Sequence, residues 1–276
     1  MIIDKQTKLI YYLKVIEHFT IFPMNSHQRH QIILDLINQN DSVQVTELVS
    51  MFGVSEVTIR RDLDILERKG LLRRVHGGAI SGSGRSYEPP FISRSDKCIE
   101  EKKRIGKAAA DMIHNGDSIM LDVGTTTLEI ARNIFDRQNL TVITPSFHIA
   151  LALVEHPGIR LILTGGILRR GELSLIGHFA ERTIEGFNVD KFFMGAGGVD
   201  PEFGFTEFNL EDTLVKQAML KRAKEIIVVA DSSKFGIIAL NSIAPISVAD
   251  RILTDTNAPV NMVEQIEELG IEVLCV

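Results

Sequence analysis

Residues 122–127, DVGTTT, carry the clearest chemical signal of the sequence. They supply one carboxylate, one turn glycine and three hydroxyls: Asp122, Gly124, Thr125, Thr126 and Thr127. An apolar run ends here and a helical pattern begins, so free backbone N–H groups and hydroxyls could converge on an anion, aided by the helix dipole. Asp122 could accept a hydrogen bond from a hydroxyl of the same ligand. The alternative is a capped strand-to-helix turn that binds nothing.

Other strand-like runs also end in small residues. Gly165 and Gly166 form a TGG loop, GAGGVD follows another run, and Asp231 and Lys234 stand in ADSSKFG. Ligands of open α/β sheets bind beyond the carboxyl ends of the strands. Lys234 could therefore reach a phosphate, or it could lie in solvent. The glycines could equally serve tight turns or close packing.

A second signal is the arginine pair Arg60 and Arg61 in SEVTIRRDLDILERKG. Arginine donates two hydrogen bonds at once to guanine and binds phosphate strongly. Shortly afterwards, LLRRVHGGAI predicts a β-hairpin with a basic tip formed by Arg73, Arg74 and His76. Placed beside a helix, such a tip suits phosphate contacts. The alternative is that the arginine pair makes surface ion pairs with Asp62, Asp64 or Glu67.

Helical patterns surround the arginine pair. We expect one helix over residues 26–39 with Ser26 as its N-cap, and a second from Val45 to Phe52. Gly53 then supplies a turn with positive φ, and Ser55 caps the next helix. This is helix-turn-helix anatomy, in which the second helix enters the major groove of DNA. The residues expected on its outer face and flanks are Ser55, Glu56, Thr58, Arg60 and Arg61.

The rest of the chain alternates short apolar strands with helices. The strands are SIMLDVG, LTVITPS, IRLILTGG, KFFMGAGGVD, EIIVVADSS, DRILTD and IEVLCV. This alternation predicts an α/β domain with a mainly parallel sheet and helices on its faces. Residues 81–90, SGSGRSYEPP, have the composition of a linker. We therefore predict a helix-turn-helix domain with a hairpin wing over residues 24–80, a linker over residues 81–90 and an α/β domain over residues 91–276, to which the resemblance described below assigns effector binding and oligomerisation. Residues 1–23 are predicted to be an extension, either an extra helix or the result of a misassigned start codon.

Composition narrows the class of protein. The 276 residues are 45% hydrophobic, enough for about two domains. Residues 24–85 carry 8 Lys and Arg against 7 Asp and Glu, whereas residues 86–276 carry 19 against 27. A near-neutral head therefore precedes an acidic body. The two cysteines, with no CxxC motif and no His-rich partner motif, predict neither a zinc site nor a disulfide framework and fit a reducing cytoplasm. We expect no metal and no cofactor. No apolar run is long enough to predict a membrane span.

Residues 26–80 resemble the DNA-binding head of the DeoR family of bacterial sugar-metabolism repressors. The matching stretches are RHQIILDLI, VTELVSMFGVSEVTIRRDLDILERKG and RRVHGGA. The resemblance implies a winged helix-turn-helix with Thr58, Arg60 and Arg61 on the reading helix. Double-stranded operator DNA is the implied partner.

Residues 91–276 resemble the effector domain of the same family, through DVGTTT, TGG, GAGGVD, VVADSSKFG, and Glu211 with Lys216. This resemblance implies a fold similar to ribose-5-phosphate isomerase and a phosphorylated sugar or sugar alcohol as effector. It implies that residues 124–127 bind the phosphate. The residues implied around the sugar are Asp122, Gly165, Gly166, Glu211, Asp231 and Lys234.

Two functions are therefore open at this point. The first is a ligand-controlled repressor, expected to be a homodimer or homotetramer because paired operator half-sites suit a two-fold protein. The second is a sugar-phosphate isomerase with an appended DNA-binding head, in which Asp122, Glu211 or Asp231 would be the general base. An isomerase has no need of a reading helix and a wing, so we favour the repressor.

Overall fold

The computed structural model describes residues 25–40, 42–81 and 84–276. The chain divides between residues 83 and 84 into two compact units, called here the head and the body. The predicted extension over residues 1–23 lies outside the described residues. No helix in the described part of the chain is long and apolar enough to cross a membrane.

The head is a winged helix-turn-helix, as predicted. Its elements are α1 Ser26–Asn40, β1 Ser42–Gln44, α2 Val45–Phe52, α3 Glu56–Arg68, β2 Leu72–Val75 and β3 Gly78–Ser81. Gly53 ends α2 with a φ of 63°, and the Ser55 side chain accepts a hydrogen bond from the backbone N–H of Thr58. Ile33, Leu48, Ile59 and Leu63 are fully buried between the three helices. The apolar residues that recur at helical spacing in the sequence are thus the residues that form the core of the head.

Two details of the head differ from the predictions. Asn25, not Ser26, caps α1, because Asn25 Oδ1 accepts from the Gln28 N–H at 2.9 Å and Gln28 Oε1 accepts from the Asn25 N–H at 3.2 Å. Strand β1 was also not predicted. It pairs antiparallel with β3 and extends the hairpin to a three-stranded sheet.

The body is built on a seven-stranded sheet whose pairings are all parallel. Its strands are β4 Ser118–Leu121, β5 Leu140–Thr144, β6 Ile159–Leu163, β9 Val189–Met194, β12 Ala223–Val229, β14 Arg251–Thr254 and β15 Glu272–Cys275. These are the seven predicted strands. They lie in the order β15-β14-β12-β9-β4-β5-β6, so the chain first moves outward from β4 and later returns to β9 on its other side. The topological switch point lies between β4 and β9.

Helices cover the sheet, and two smaller sheets complete the body. The helices are α4 Phe91–Asp96, α5 Ile99–Asp111, α6 Thr125–Ala131, α7 Phe147–Leu153, α8 His178–Glu185, α9 Leu210–Leu220 and α10 Val260–Glu268. The smaller sheets are formed by β7 Ile167–Arg169 with β8 Ser174–Ile176, and by β10 Gly198–Asp200, β11 Gly204–Glu207 and β13 Asn241–Ala244. Sequence patterns did not predict these short antiparallel strands.

The predicted linker also needs correction. Residues 84–90 belong to the body. The Leu240 N–H donates to Arg85 O at 2.7 Å, and Glu88 forms ion pairs with Arg94 and Arg169. Composition predicted a free linker because it does not register these specific polar contacts.

Candidate nucleic-acid interface and ligand pocket

The N-terminal half of α3 presents an exposed polar surface. Ser55, Glu56 and Arg60 are exposed, Thr58 is half-buried, and Val57 is 76% exposed. Ser55 caps the helix and its hydroxyl lies 2.9 Å from the Thr58 hydroxyl. Arg60 is held by Glu56, whose Oε1 accepts from Nε at 2.8 Å.

Arg61 is exposed and has no hydrogen bond or ion pair to any described residue. Its predicted acidic partners are engaged elsewhere. Asp62 is buried and accepts from Arg29 Nε at 2.8 Å, with His30 Nε2 at 3.0 Å from its other oxygen. Asp64 and Glu67 both contact Arg74. The surface ion-pair alternative therefore fails for Arg61, and for Arg60 the partner is Glu56.

The three basic residues of the wing point in two directions, two toward solvent and one toward α3. Arg73 and His76 are exposed, as a phosphate contact requires. Arg74 instead points back to α3: its Nη1 contacts Asp64 and donates to Arg60 O at 3.1 Å, and its backbone N–H donates to Glu67 Oε1 at 2.6 Å. Arg74 thus fixes the wing against the reading helix, which corrects its predicted place on the phosphate-binding tip.

Gly78 has a packing role inside the head. A Cβ at this position would lie 2.1 Å from Val43 O, so glycine is needed for the close pairing of β1 with β3.

A pocket lies at the switch point of the body, at the carboxyl ends of β4, β9 and β12. The residues that line it are Arg94, Val123, Gly124, Thr125, Thr126, Thr127, Gly195, Ala196, Gly197, Glu207, Phe208, Lys216, Val229, Ala230 and Lys234. The ends of adjacent parallel strands meet at one edge of a sheet, which is why residues so distant in sequence converge. The sequence rule about strand ends thus predicted the place of the pocket.

The predicted threonine loop forms one wall of the pocket. Gly124 has a φ of 148°, a conformation that favours glycine, and this turn starts α6. Thr127 Oγ1 donates to Gly124 O at 3.1 Å. The hydroxyls of Thr125 and Thr126 have no hydrogen-bond partner among the described residues, although both side chains are largely buried. Two hydroxyls are therefore available to a ligand, a stronger argument than the dipole of a helix of only 7 residues.

Cations line the same pocket. Lys234 Nζ makes no hydrogen bond to a described residue, and burial, with a contribution from nearby Arg94, lowers its pKa. Arg94 is half-buried and forms ion pairs with Glu172 and Glu88. An anionic ligand would relieve the repulsion between these cations. The pocket therefore suits a group with several negative oxygens.

Lys216 and two carboxylates form a buried network beneath the pocket. Lys216 Nζ contacts Asp122 Oδ2, donates to Gly195 O at 3.0 Å, and lies 3.4 Å from Glu207 Oε2. Burial alone would lower the pKa of Lys216, but the carboxylates of Asp122 and Glu207 outweigh burial and raise it. Lys216 is thus a charged structural centre that holds the loops after β4, β9 and β11.

The structure does not bring all predicted ligand residues to the pocket. Gly165 and Gly166 are exposed after β6, the edge strand, and Glu211 is exposed in the first turn of α9. Asp122 and Asp231 are buried and already accept hydrogen bonds, Asp122 at both carboxylate oxygens and Asp231 at Oδ1. Asp122 accepts from the N–H groups of Val123 and Gly195, and Asp231 accepts from the N–H and hydroxyl of Ser233. These residues shape the fold around the pocket or lie away from it.

Three charged residues of the pocket, Arg94, Glu207 and Lys216, were absent from the predicted ligand set. Lys216 lies on the buried face of α9 with Val215 and Met219, where a lysine needs a carboxylate partner. Glu207 stands in a β11 strand whose burial is complete, GFTE, where a carboxylate needs a partner. Nothing local in the sequence marked Arg94, whose position depends on packing of α4.

Comparisons with known proteins agree with the two-unit organisation. Residues 29–84 match the family described as DeoR-like helix-turn-helix domain, and residues 97–256 match the DeoR C terminal sensor domain. The chain is 36% identical to a putative aga operon transcriptional repressor of Escherichia coli O157:H7, over 90% of this chain and 93% of that protein. It is 34% identical to the glycerol-3-phosphate regulon repressor of Escherichia coli K12, over 91% of this chain and 100% of that protein.

Among solved structures, the chain is similar to ribose 5-phosphate isomerase A of Methanocaldococcus jannaschii. The identity is 18%, the TM-score is 0.39, and the match covers 51% of this chain and 56% of that one. A similarity at this level carries no argument about function.

Proposed function

The chain belongs to the DeoR family of transcriptional regulators, and on this premise we propose which of its residues read DNA and which sense the ligand. It is a DNA-binding repressor of a carbohydrate-use operon, controlled by a phosphorylated sugar or sugar alcohol. One observation in each unit carries the assignment of residues. In the head, Arg61 is exposed and has no partner among the described residues. In the body, the pocket holds two free threonine hydroxyls and a lysine without a hydrogen bond to a described residue.

In the head, Arg61 reads base edges in the major groove, with Thr58 and Ser55 beside it. Arg60, held by Glu56, contacts base or backbone from the same helix face. Arg73 and His76 of the wing bind phosphate. Arg74 orients the wing and makes no contact with DNA of its own.

In the body, the phosphate of the effector binds the hydroxyls of Thr125 and Thr126 and the ammonium of Lys234, with Arg94 as a further cation. Glu207 lines the same pocket and accepts hydrogen bonds from the hydroxyls of the sugar. Asp122 and Lys216 hold these groups in place. The protein acts in the cytoplasm as a homodimer or homotetramer, which sedimentation of the purified protein tests.

A thermal-shift screen of phosphorylated sugars and polyols identifies the effector. A ligand present at 100 times its dissociation constant adds about 2.7 kcal/mol to the free energy of unfolding. The unphosphorylated sugar or polyol is the matched control and should add much less. If no phosphorylated compound stabilises the protein, the assignment of the pocket is wrong.

The isomerase alternative has weak support from the pocket. Of the three carboxylates predicted as general base, Glu211 is exposed on α9, Asp122 accepts hydrogen bonds at both oxygens, and Asp231 accepts two from Ser233 at Oδ1. Glu207 is the carboxylate that remains at the pocket, and its Oε1 accepts from the Phe208 N–H at 2.9 Å. A coupled assay on the common sugar phosphates is expected to detect no turnover; turnover abolished by Glu207→Gln would establish the enzyme instead.

A further inference from the structure

Glu88 connects the segment that leads to the head with an arginine of the ligand pocket. Its Oε1 accepts from Arg94 Nη2 at 3.0 Å, and its Oε2 accepts from Arg169 Nη2 at 2.6 Å. The Glu88 side chain is only 13% exposed. Both carboxylate oxygens are thus engaged by guanidinium groups of the body. We call residues 84–90 the strap.

Two further hydrogen bonds hold the strap. Arg94 Nε donates to Pro89 O at 2.9 Å, and the Leu240 N–H donates to Arg85 O at 2.7 Å. Arg94 lines the pocket, and Leu240 lies in the loop that follows the pocket lysine Lys234. The strap therefore rests on two chain segments that supply the cations of the pocket.

Arg94 is shared between two carboxylates of different origin. Glu172 comes from the loop between β7 and β8 of the body and is 5% exposed. Glu88 comes from the strap, which has no helix or strand of its own and is exposed at Gly84, Arg85 and Ser86. Segments held by few contacts open most easily. A new anion at Arg94 would therefore displace Glu88 before Glu172.

We propose that the phosphate of the effector competes with Glu88 for Arg94, so that ligand binding releases the strap from the body. This inference rests on the effector site proposed above. Phosphate and carboxylate are both anions, and their repulsion is strong at a partly buried site. The ligand and the docked strap then oppose each other, and by linkage each weakens the other by the same factor.

Release of the strap has a consequence for DNA binding. Release adds the seven residues of the strap to the connection between body and head. When extended, these seven residues span at most about 24 Å. A longer connection lowers the effective concentration of a second head at its operator half-site. Ligand would thus weaken operator binding by a two-fold protein without altering the reading helix.

Glu88→Ala and Glu172→Ala form a matched pair, because each removes one carboxylate from Arg94 and only Glu88 belongs to the strap. Hydrogen exchange is measured with and without inorganic phosphate at two amides, Tyr87, whose N–H donates to Gly84 O at 2.8 Å, and Leu240, whose N–H donates to Arg85 O of the docked strap at 2.7 Å. In the wild type, phosphate is expected to accelerate this exchange. Glu88→Ala should exchange fast without phosphate, bind phosphate several-fold more tightly and bind operator several-fold more weakly. Glu172→Ala should keep the strap protected.

Three results would overturn the inference. If phosphate stabilises the wild type against unfolding while the Tyr87 and Leu240 amides stay protected, the coupling is wrong and the effector site stands. If Glu172→Ala exposes the strap as much as Glu88→Ala, loss of charge around Arg94 explains the effect without a docked strap. If neither inorganic phosphate nor any phosphorylated sugar binds the wild type, the effector site and the coupling fall together.

Discussion

Lys216 of α9 contacts Asp122 at the end of β4, and their side chains are 1% and 0% exposed. The contact joins a helix to the centre of the parallel sheet, directly beneath the ligand pocket. Burial raises the pKa of Asp122 to about 6, although Lys216 opposes this shift. A buried pair of this kind specifies position, and the loss of one partner leaves the other charge unpaired.

Lys216→Ala is therefore expected to lower the free energy of unfolding by about 3–5 kcal/mol, because Asp122 and Glu207 lose their common cation. Denaturant unfolding of the purified protein measures this change. Lys221→Ala, an exposed lysine at the end of the same helix, should change stability by less than about 0.5 kcal/mol. Equal effects of the two substitutions would mean that the buried network does not stabilise the body.

Arg61→Ala is expected to weaken operator binding by about 1–3 kcal/mol, the cost of losing a bidentate base contact. The head should remain folded, because Arg61 contacts no described residue. Gel-shift titration measures the affinity, and circular dichroism checks the fold. Arg68→Ala, at the far end of α3, is the control. If the Arg61 variant binds operator with wild-type affinity, Arg61 does not contact the bases.

Substitutions of the adjacent residues Arg73 and Arg74 should have different effects. Arg73→Ala should weaken binding to operator and random DNA alike and lower the salt slope by about 1. Arg74→Ala should instead lower the stability of the head, because the Arg74 guanidinium ties the wing to Asp64 and to the backbone oxygen of Arg60. Salt-dependent binding and thermal unfolding are measured for both variants. Identical behaviour would contradict the division of roles.

We expect Lys102 of α5 to make the free energy of unfolding depend on pH. Its Nζ contacts Arg94 O and donates to Lys97 O at 2.7 Å, and burial lowers its pKa to about 8. The unfolded chain has a lysine pKa of about 10.4, so between these values the unfolded state binds more protons. The contribution of Lys102 to stability is thus present above about pH 10.4 and is lost as the pH falls through about 8.

The measurement is the difference in free energy of unfolding between the wild type and Lys102→Met from pH 7.5 to 10.5. This difference should grow with pH in favour of the wild type. Lys107→Met, an exposed lysine on the same helix, should give a constant difference. A flat profile for Lys102→Met would mean that Lys102 titrates normally.

The large elements and the place of the pocket followed from the sequence for physical reasons. The seven strands were visible because strands buried on both faces read as continuous apolar runs. The reading helix was visible because a capping serine, a turn glycine and a helical stripe coincide at residues 53–66. The pocket followed because strand ends of parallel sheets gather at one edge.

Individual side chains could not be predicted in the same way. Arg94, Glu172 and Glu88 meet through tertiary packing, and no spacing in the sequence records it. Glu211 was predicted at the ligand, but the turn at which α9 begins places it in solvent and directs Lys216 inward. Arg74 was predicted on DNA because its type suits phosphate, whereas alternation along β2 places it against α3.

The measurement that tests the central claim most directly compares effector and operator binding in one variant, Thr126→Ala with Lys234→Ala. Calorimetry with the effector found in the screen is run beside gel-shift titration of operator. The control is Thr256→Ala with Lys221→Ala, two exposed positions outside the pocket. Each lost hydrogen bond to the charged phosphate costs about 1.5–3 kcal/mol. The account predicts wild-type operator affinity, at least about a hundredfold weaker effector binding, and an operator complex that the effector no longer affects. Wild-type effector affinity in the double variant would contradict the phosphate site at this loop.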